Sequence, residues 1–322
     1  MKTAIGVDIG GTNIKVVQAS EDGTILTSMV EPTPSEQGVS LDSIKNALIK
    51  ILKNTLKNDV VGIGFGIAGQ IDRKNGIVIK SPNIPVINGF PVKEIFEKKF
   101  SLPVVLENDA NTYAYGEKWI GMGKNFSDFA LLTLGTGLGG GIIYKGELFE
   151  GPVEIGHMVI EPQGRFCTCG SFGCLESYAS GRAIIDLVIS SLEKGTKSML
   201  TECCDGNIYK ITPEIVYKNA LEGDNLSREV FREVGRYLGL GIANLLNIFG
   251  SEAVILGGGL IGAWDLFIEE IKKEFLKRTL NPLSKNVEIL KAALKEDGGA
   301  IGAAGLIFEV IRRSFPPENR AS

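Results

Sequence analysis

Ala4-Ile5-Gly6-Val7-Asp8-Ile9-Gly10-Gly11-Thr12-Asn13 opens the chain, and Phe129-Ala130-Leu131-Leu132-Thr133-Leu134-Gly135-Thr136-Gly137-Leu138-Gly139-Gly140-Gly141 restarts the second half with the same device. Each copy is a β-prone apolar run that ends in a turn of glycine and threonine and leaves through a second apolar run. Glycine carries no Cβ, so such turns are tight and let another group approach the backbone closely. A repeat on this scale predicts two similar α/β domains with a cleft between them.

Working outward from these turns, residues 3–9, 13–19 and 24–30 read as strands, followed by strands near 60–67 and 104–107. Helical spacing marks 39–57, with Leu41, Ile44, Leu48, Leu52 and Leu56 on one face, and shorter helices are expected at 91–100 and 109–120. Past the second turn the reading is long helices at 177–194 and 225–249, a strand at 253–256 and a helix at 264–278. The domain division is placed at 1–120 plus about 300–322 against 121–299, with a metal loop at 157–176 in the second part.

With 44% apolar and 22% charged residues in 322, the chain can bury a sizeable core. Its 34 basic and 38 acidic residues argue against a nucleic-acid binder held by a broad basic face. Asn244, Asn247, Ser251 and Glu252 interrupt the longest apolar stretch, which excludes a membrane span there. Met1-Lys2-Thr3 runs straight into the first strand with no export signal, so a cytoplasmic location is expected.

The pattern G-x-G-x-x-G occurs at Gly64/Gly66/Gly69, Gly135/Gly137/Gly140 and Gly257/Gly259/Gly262. Only the third has a strand before and a helix after it, and too little chain follows to build a dinucleotide domain. The two Gly/Thr hairpins remain, carrying Thr12 and Thr136. Their backbone N–H groups and hydroxyls suit phosphate oxygens. Asp8 would repel phosphate directly and fits if Mg²⁺ with its waters lies between them.

Cys167, Cys169 and Cys174 fall within eight residues, with His157 upstream. Three thiolates and one imidazole make the composition of a closed structural zinc site. Cys203-Cys204, in a polar loop, reads as incidental. If His157 ligates metal, no histidine is left for a Ser-His-Asp mechanism, because the chain has only one. The best-placed general base is then Asp109, at the end of strand 104–107. From the residues alone the reading of Asp109 as the cap of the following helix is favoured over the catalytic one.

The chain resembles the ROK family of sugar kinases over essentially its full length. The resemblance rests on Asp8-Ile9-Gly10-Gly11-Thr12-Asn13, Glu107-Asn108-Asp109-Ala110, Leu134–Gly141, Glu154-Ile155-Gly156-His157 and Cys167-Thr168-Cys169-Gly170-Ser171-Phe172-Gly173-Cys174-Leu175-Glu176. It implies a two-lobed, actin-like and ribonuclease-H-like fold that transfers a phosphoryl group from Mg·ATP to a hexose hydroxyl, glucose foremost. Asp109 is the implied catalytic base, and Asn83, Asn108, Glu154, His157 and Glu176 are implied sugar ligands, with His157 shared between zinc and sugar. Asp8, Gly10, Gly11, Thr12, Asn13 and Lys15 of the first turn and Gly135, Thr136 and Gly137 of the second are the implied phosphate side. Gly257, Gly258 and Gly259 are the implied adenosine segment. A homodimer is what the resemblance suggests. The loop Glu147-Leu148-Phe149-Glu150-Gly151-Pro152-Val153 is shorter than in many relatives, which leaves fructose, N-acetylmannosamine, N-acetylglucosamine and allose open as acceptors. Sugar-responsive regulators of the family carry a helix-turn-helix in front, and Asp8 leaves no room for one.

Overall fold

The strands β1 (Thr3–Ile9) and β2 (Asn13–Ser20) pair antiparallel around the first Gly/Thr turn, with Asp8 opposite Lys15. A computed structural model describes residues 1–34, 39–56, 59–280 and 286–314. The chain forms two units, Met1–Phe126 with Ala292–Ser322 and Ser127–Lys291.

In the first unit β3 (Ile25–Pro32), β4 (Val60–Ile67) and β7 (Val104–Asn108) complete a sheet of order β3-β2-β1-β4-β7. β4 and β7 run parallel to β1, and a small hairpin of β5 (Gln70–Asp72) and β6 (Ile77–Lys80) stands apart. α1 (Leu41–Thr55) starts where Ser40 accepts from Ser43 N and buries Ile44, Leu48, Ile51 and Leu52. It packs with α2 (Val92–Phe100) into a cluster containing Ile5, Val7, Ile9, Ile63, Phe65 and Ile67, the odd positions of β1 and β4.

The even positions are small, and the other face is built on that. A Cβ on Gly6 would stand 1.8 Å from Ala300 O, and one on Gly64 would stand 1.9 Å from Ala303 O. Both oxygens belong to α9 (Gly298–Ser314), which lies flat on the sheet beside α3 (Asp109–Trp119). Gly64 and Gly66 of the first G-x-G-x-x-G are thus spacers beneath helices, Gly66 facing Thr112 of α3.

The second unit repeats the strand order. β8 (Phe129–Leu134), β9 (Leu138–Tyr144) and β10 (Glu147–Leu148) are antiparallel, and β11 (Ala253–Gly257) and β12 (Glu288–Lys291) extend the sheet parallel to β8 in the order β10-β9-β8-β11-β12. The duplication predicted from the turns therefore reaches the whole sheet. Its core combines Ala130, Leu132 and Leu134 with α5 (Gly181–Glu193), α6 (Pro213–Glu222), α7 (Asn225–Phe249) and α8 (Trp264–Arg278).

One expectation is corrected and several elements are added. The helix at 177–194 is two helices, α4 (Glu176–Ala179) and α5, because Ser180 is extended and its side chain caps α5 through Ala183 N. Helix α6 and the short strands β5, β6, β10 and β12 are additions, although Thr212-Pro213 and Gly223 are cap signals that mark α6. The second unit spans Ser127–Lys291, where 121–299 was expected. Glu117 is the reason: its backbone O accepts from Gly121 N and Gly123 N, and its buried carboxylate accepts from Met122 N and Leu294 N, which ties both flanking segments to α3.

Candidate active site and metal centre

At the first turn Gly10 N donates to Asn13 O, and Gly11, Thr12 and Asn13 are exposed. Asn83 is also exposed, and its Cβ lies 3.4 Å from the place a Cβ on Gly11 would take. Ser81 anchors that segment, donating its hydroxyl to Ala68 O and accepting from Ile84 N. Lys15 Nζ reaches Glu296 O at 2.8 Å and Glu296 Oε2 at 3.2 Å. Since the Glu296 side chain is 90% exposed, that pair adds little stability.

Asn108, at the end of β7, caps α3: its Oδ1 accepts from Ala110 N and Asn111 N, and its Nδ2 donates to Gly69 O at 3.1 Å. The capping alternative for Asp109 is thereby overturned, and Asp109 is the first residue of α3 itself. Beneath both lies Glu107, buried, which accepts from Asn108 N and Asn111 Nδ2 and pairs with Arg73 Nε at 2.7 Å. Burial raises the Glu107 carboxyl, and Arg73 opposes the rise.

Asp8 stands at the end of β1, in register with Gly66 and Glu107 on the neighbouring strands. Burial, the charge of Asp109 and the charge of Asp297 push its carboxyl up to about 7, with Lys15 pulling the other way. The sign follows directly. The folded chain holds a proton that the unfolded chain releases near 3.8, so stability falls as pH rises from about 4 to about 7, and the full cost persists above. Without Mg²⁺ and nucleotide, Asp8→Asn is expected to raise the melting temperature at pH 8 by roughly 4–8 °C, with the gain fading towards pH 4, while phosphoryl transfer is lost. Calorimetric melts at both pH values check it. An unchanged melt at pH 8 would show that the carboxylate carries no strain.

The second turn is held from behind by the break at Ser180. Gly181 N donates to Gly135 O at 2.8 Å and Arg182 N to Thr136 O at 3.4 Å. Glu176 Oε2 accepts from Leu138 N at 2.8 Å, just past Gly137. A Cβ on Gly137 would stand 2.5 Å from that oxygen, so a larger residue there would push the Glu176 carboxylate aside. Of Gly257, Gly258 and Gly259, the middle one has φ +90° and lies against Leu134 O, whereas nothing stands within 4 Å of a Cβ on Gly259.

The ligand atoms of His157, Cys167, Cys169 and Cys174 all lie within 4.8 Å of one another. Cys169 Sγ is 3.7 Å from Cys174 Sγ, and Cys167 Sγ is 3.8 Å from His157 Nδ1. A tetrahedral zinc with Zn–S near 2.3 Å has edges of about 3.8 Å, so the donor set fits that ion in spacing and in chemistry. Burial and the two neighbouring thiols raise the Cys174 thiol, a cost that a bound cation would offset by taking the thiolate as its ligand. His157 turns Nδ1 to the cluster and leaves Nε2 on its other side. Glu176 Oε1 lies 4.0 Å from Cys167 Sγ, so one carboxylate spans the metal loop and the second turn. Glu154, before His157, is exposed.

The sequence model of the ROK family matches residues 4–310. The chain belongs to the ROK family. Among ROK relatives, a glucokinase of Thermotoga maritima is 35% identical over 95% of this chain and 98% of its own length. A xylose repressor of Caldicellulosiruptor bescii is 31% identical over 97% of this chain and 79% of its own length. The crystal structure of a ROK glucokinase from Streptomyces griseus in complex with glucose and AMPPNP superposes with a TM-score of 0.79 at 35% identity, covering 95% of this chain and 99% of that one. The mixed sheets are those of the ROK kinase fold.

Sequence reasoning singled out Asp8, Asn108, Asp109 and the four Cys/His donors but missed what holds them. Arg73, the clamp of Gly181 and Arg182 on the second turn, and Thr33 beside the first carry no local motif. Only the shared E-N-D segment hinted at Glu107.

Proposed function

We propose that this ROK protein catalyses ATP-dependent phosphorylation of glucose to glucose 6-phosphate. The observation that carries the reading is the strand-end pair: Asp109 opens α3 while Asn108 does the capping, and its charge bears on Asp8 beside the first Gly/Thr turn. The resemblance to glucokinases of nearly equal length supports the acceptor.

Phosphoryl transfer asks the protein mostly for positioning and charge stabilisation. Asp109 orients the sugar hydroxyl and accepts its proton as the new P–O bond forms. Asn108, through the amide hydrogen not given to Gly69, binds the sugar together with Asn83, Glu154, His157 Nε2 and the Glu176 carboxylate. An analogue lacking one hydroxyl leaves one of these groups unpaired, which is the source of specificity. The two turns (Gly10, Gly11, Thr12, Asn13 and Gly135, Thr136, Gly137) hold phosphate oxygens, Lys15 balances charge near Asp8, and Gly257–Gly259 takes the adenosine. Bound Mg²⁺ would neutralise phosphate charge with Asp8 on its water shell, and bound zinc would brace the loop carrying His157 and Glu176.

The same reading takes a cytoplasmic homodimer acting in glycolysis without nucleic acid. Among the described residues no helix is long and apolar enough to cross a membrane. An ATP-coupled assay over glucose, fructose, allose, N-acetylglucosamine and N-acetylmannosamine tests the acceptor. Glucose is expected to have the highest kcat/KM. A higher value for any other sugar reassigns the substrate, and no turnover with any of them removes the kinase reading.

A further inference from the structure

Thr33 follows β3 and is buried, with 4% exposure. Its Oγ1 donates to Gly10 O at 2.7 Å, and its backbone N–H donates to Thr12 O at 2.8 Å. One residue, twenty-odd positions away in sequence, thus takes two carbonyls of the first turn. In a trans peptide the C=O and N–H of the same unit point in opposite directions, and the described residues contain no cis peptide bond. Holding Gly10 C=O against Thr33 therefore turns the Gly11 N–H away from Thr33, towards the exposed side of the turn. The hold on Thr12 C=O likewise turns the Asn13 N–H away from Thr33, to the side on which Asn13 O accepts from Gly10 N.

The second unit reaches this arrangement by other means. There Gly181 N and Arg182 N take the carbonyls of Gly135 and Thr136, which turns the N–H groups of Thr136 and Gly137 away from α5. Two turns with unrelated supports share one outcome: carbonyls pinned to the protein and amides aimed outward. A turn of free carbonyls would present negative dipole ends to an anion, and pinning them removes that repulsion.

We propose that Thr33 is a positioning residue for nucleotide: its hydroxyl fixes the Gly10 carbonyl and so aims the Gly11 amide at a phosphate oxygen. The inference rests on the reading of the Gly/Thr turns as phosphate sites.

The test is calorimetric titration of the whole chain with Mg·AMPPNP and, separately, with glucose, using Thr33→Val, Thr33→Ser and the unsubstituted protein. Thr33→Val keeps the shape and the backbone N–H but removes the hydroxyl. It is expected to weaken nucleotide binding by roughly ten- to fiftyfold and to leave glucose affinity within about twofold. Thr33→Ser restores the donor and is expected to bind nucleotide within about threefold of the unsubstituted protein. Thr33→Ala, which adds no bulk, stands in should the valine variant not fold. Unchanged nucleotide affinity without the hydroxyl overturns the proposal. So does an equal loss in the serine variant, or a parallel loss of glucose affinity, since each assigns Thr33 a general structural role. If the unsubstituted protein binds glucose but no nucleotide, the phosphate-turn reading itself has failed.

Discussion

Asp109→Asn is expected to lower kcat by about 10²- to 10⁴-fold, which is about 2.7–5.5 kcal/mol of barrier, while glucose affinity stays within about threefold of the unsubstituted value. The size of the effect follows from the chemistry of the acceptor. A sugar hydroxyl is a poor nucleophile, and an amide in place of the carboxylate can still hydrogen-bond to it but cannot take its proton. The substitution tests chemistry rather than folding because Asn108, not Asp109, caps α3. What the helix loses is one carboxylate in its first turn, worth about 0.3–1 kcal/mol. A second readout comes with it. The Asp109 charge is one of the causes holding Asp8 high, so its removal moves the Asp8 carboxyl down from about 7. Steady-state kinetics with glucose titrations on the same preparations check the expectation. Turnover within tenfold of normal would remove Asp109 as the base.

Cys169→Ala is expected to abolish zinc binding and most of the activity. Cys169 is the exposed cysteine of the set while Cys167 and Cys174 are buried, so the substitution opens no large cavity and acts through the lost ligand. Binding energy of a structural metal is folding energy of the loop around it. That loop is otherwise held by backbone hydrogen bonds such as Cys167 N to Ser171 O and Gly173 N to Arg165 O. Gly173 O also accepts from Ile160 N at 2.8 Å, and a Cβ on Gly173 would stand 1.7 Å from Glu161 O. With the ion gone, His157 and Glu176 lose their bracing, so glucose affinity falls. Nucleotide affinity falls with it, because Glu176 also holds Leu138 N beside the second turn. Metal analysis by mass spectrometry together with both titrations decides the matter. Full activity in protein verified to be zinc-free would sink the structural role.

The legible parts of the site were short-range. Glycine and threonine at a strand end, three cysteines with one histidine, and an acid where a strand meets a helix are recorded in consecutive residues, and each was readable without a fold. The glycines at Gly64 and Gly66 were readable only as a pattern, which could be set aside as a dinucleotide site but did not say what the glycines do. Their role is to let α9 and α3 lie close on the sheet, and α9 is more than two hundred residues away in the chain. Local spacing could not choose between Asn108 and Asp109 as the cap, because both residue types cap well and the choice depends on where β7 stops. The helix at 177–194 broke at Ser180 for a related reason. Apolar spacing continues through it, but Ser180 caps α5 and so frees Gly181 N to reach Gly135 O.

By itself the sequence pointed to two similar α/β domains, each opened by a Gly/Thr turn, to a Cys3His cluster with the composition of a metal site and to a carboxylate at a strand end. All of these depend on backbone preference and on donor chemistry within a few consecutive residues. Only the tertiary structure decided which carboxylate was relieved of capping, that Glu107 with Arg73 underlies it, and that Thr33 and the start of α5 hold the carbonyls of the two turns. Those decisions are made by hydrogen bonds between residues far apart in the chain, and a partner brought in by the fold leaves no trace in local periodicity.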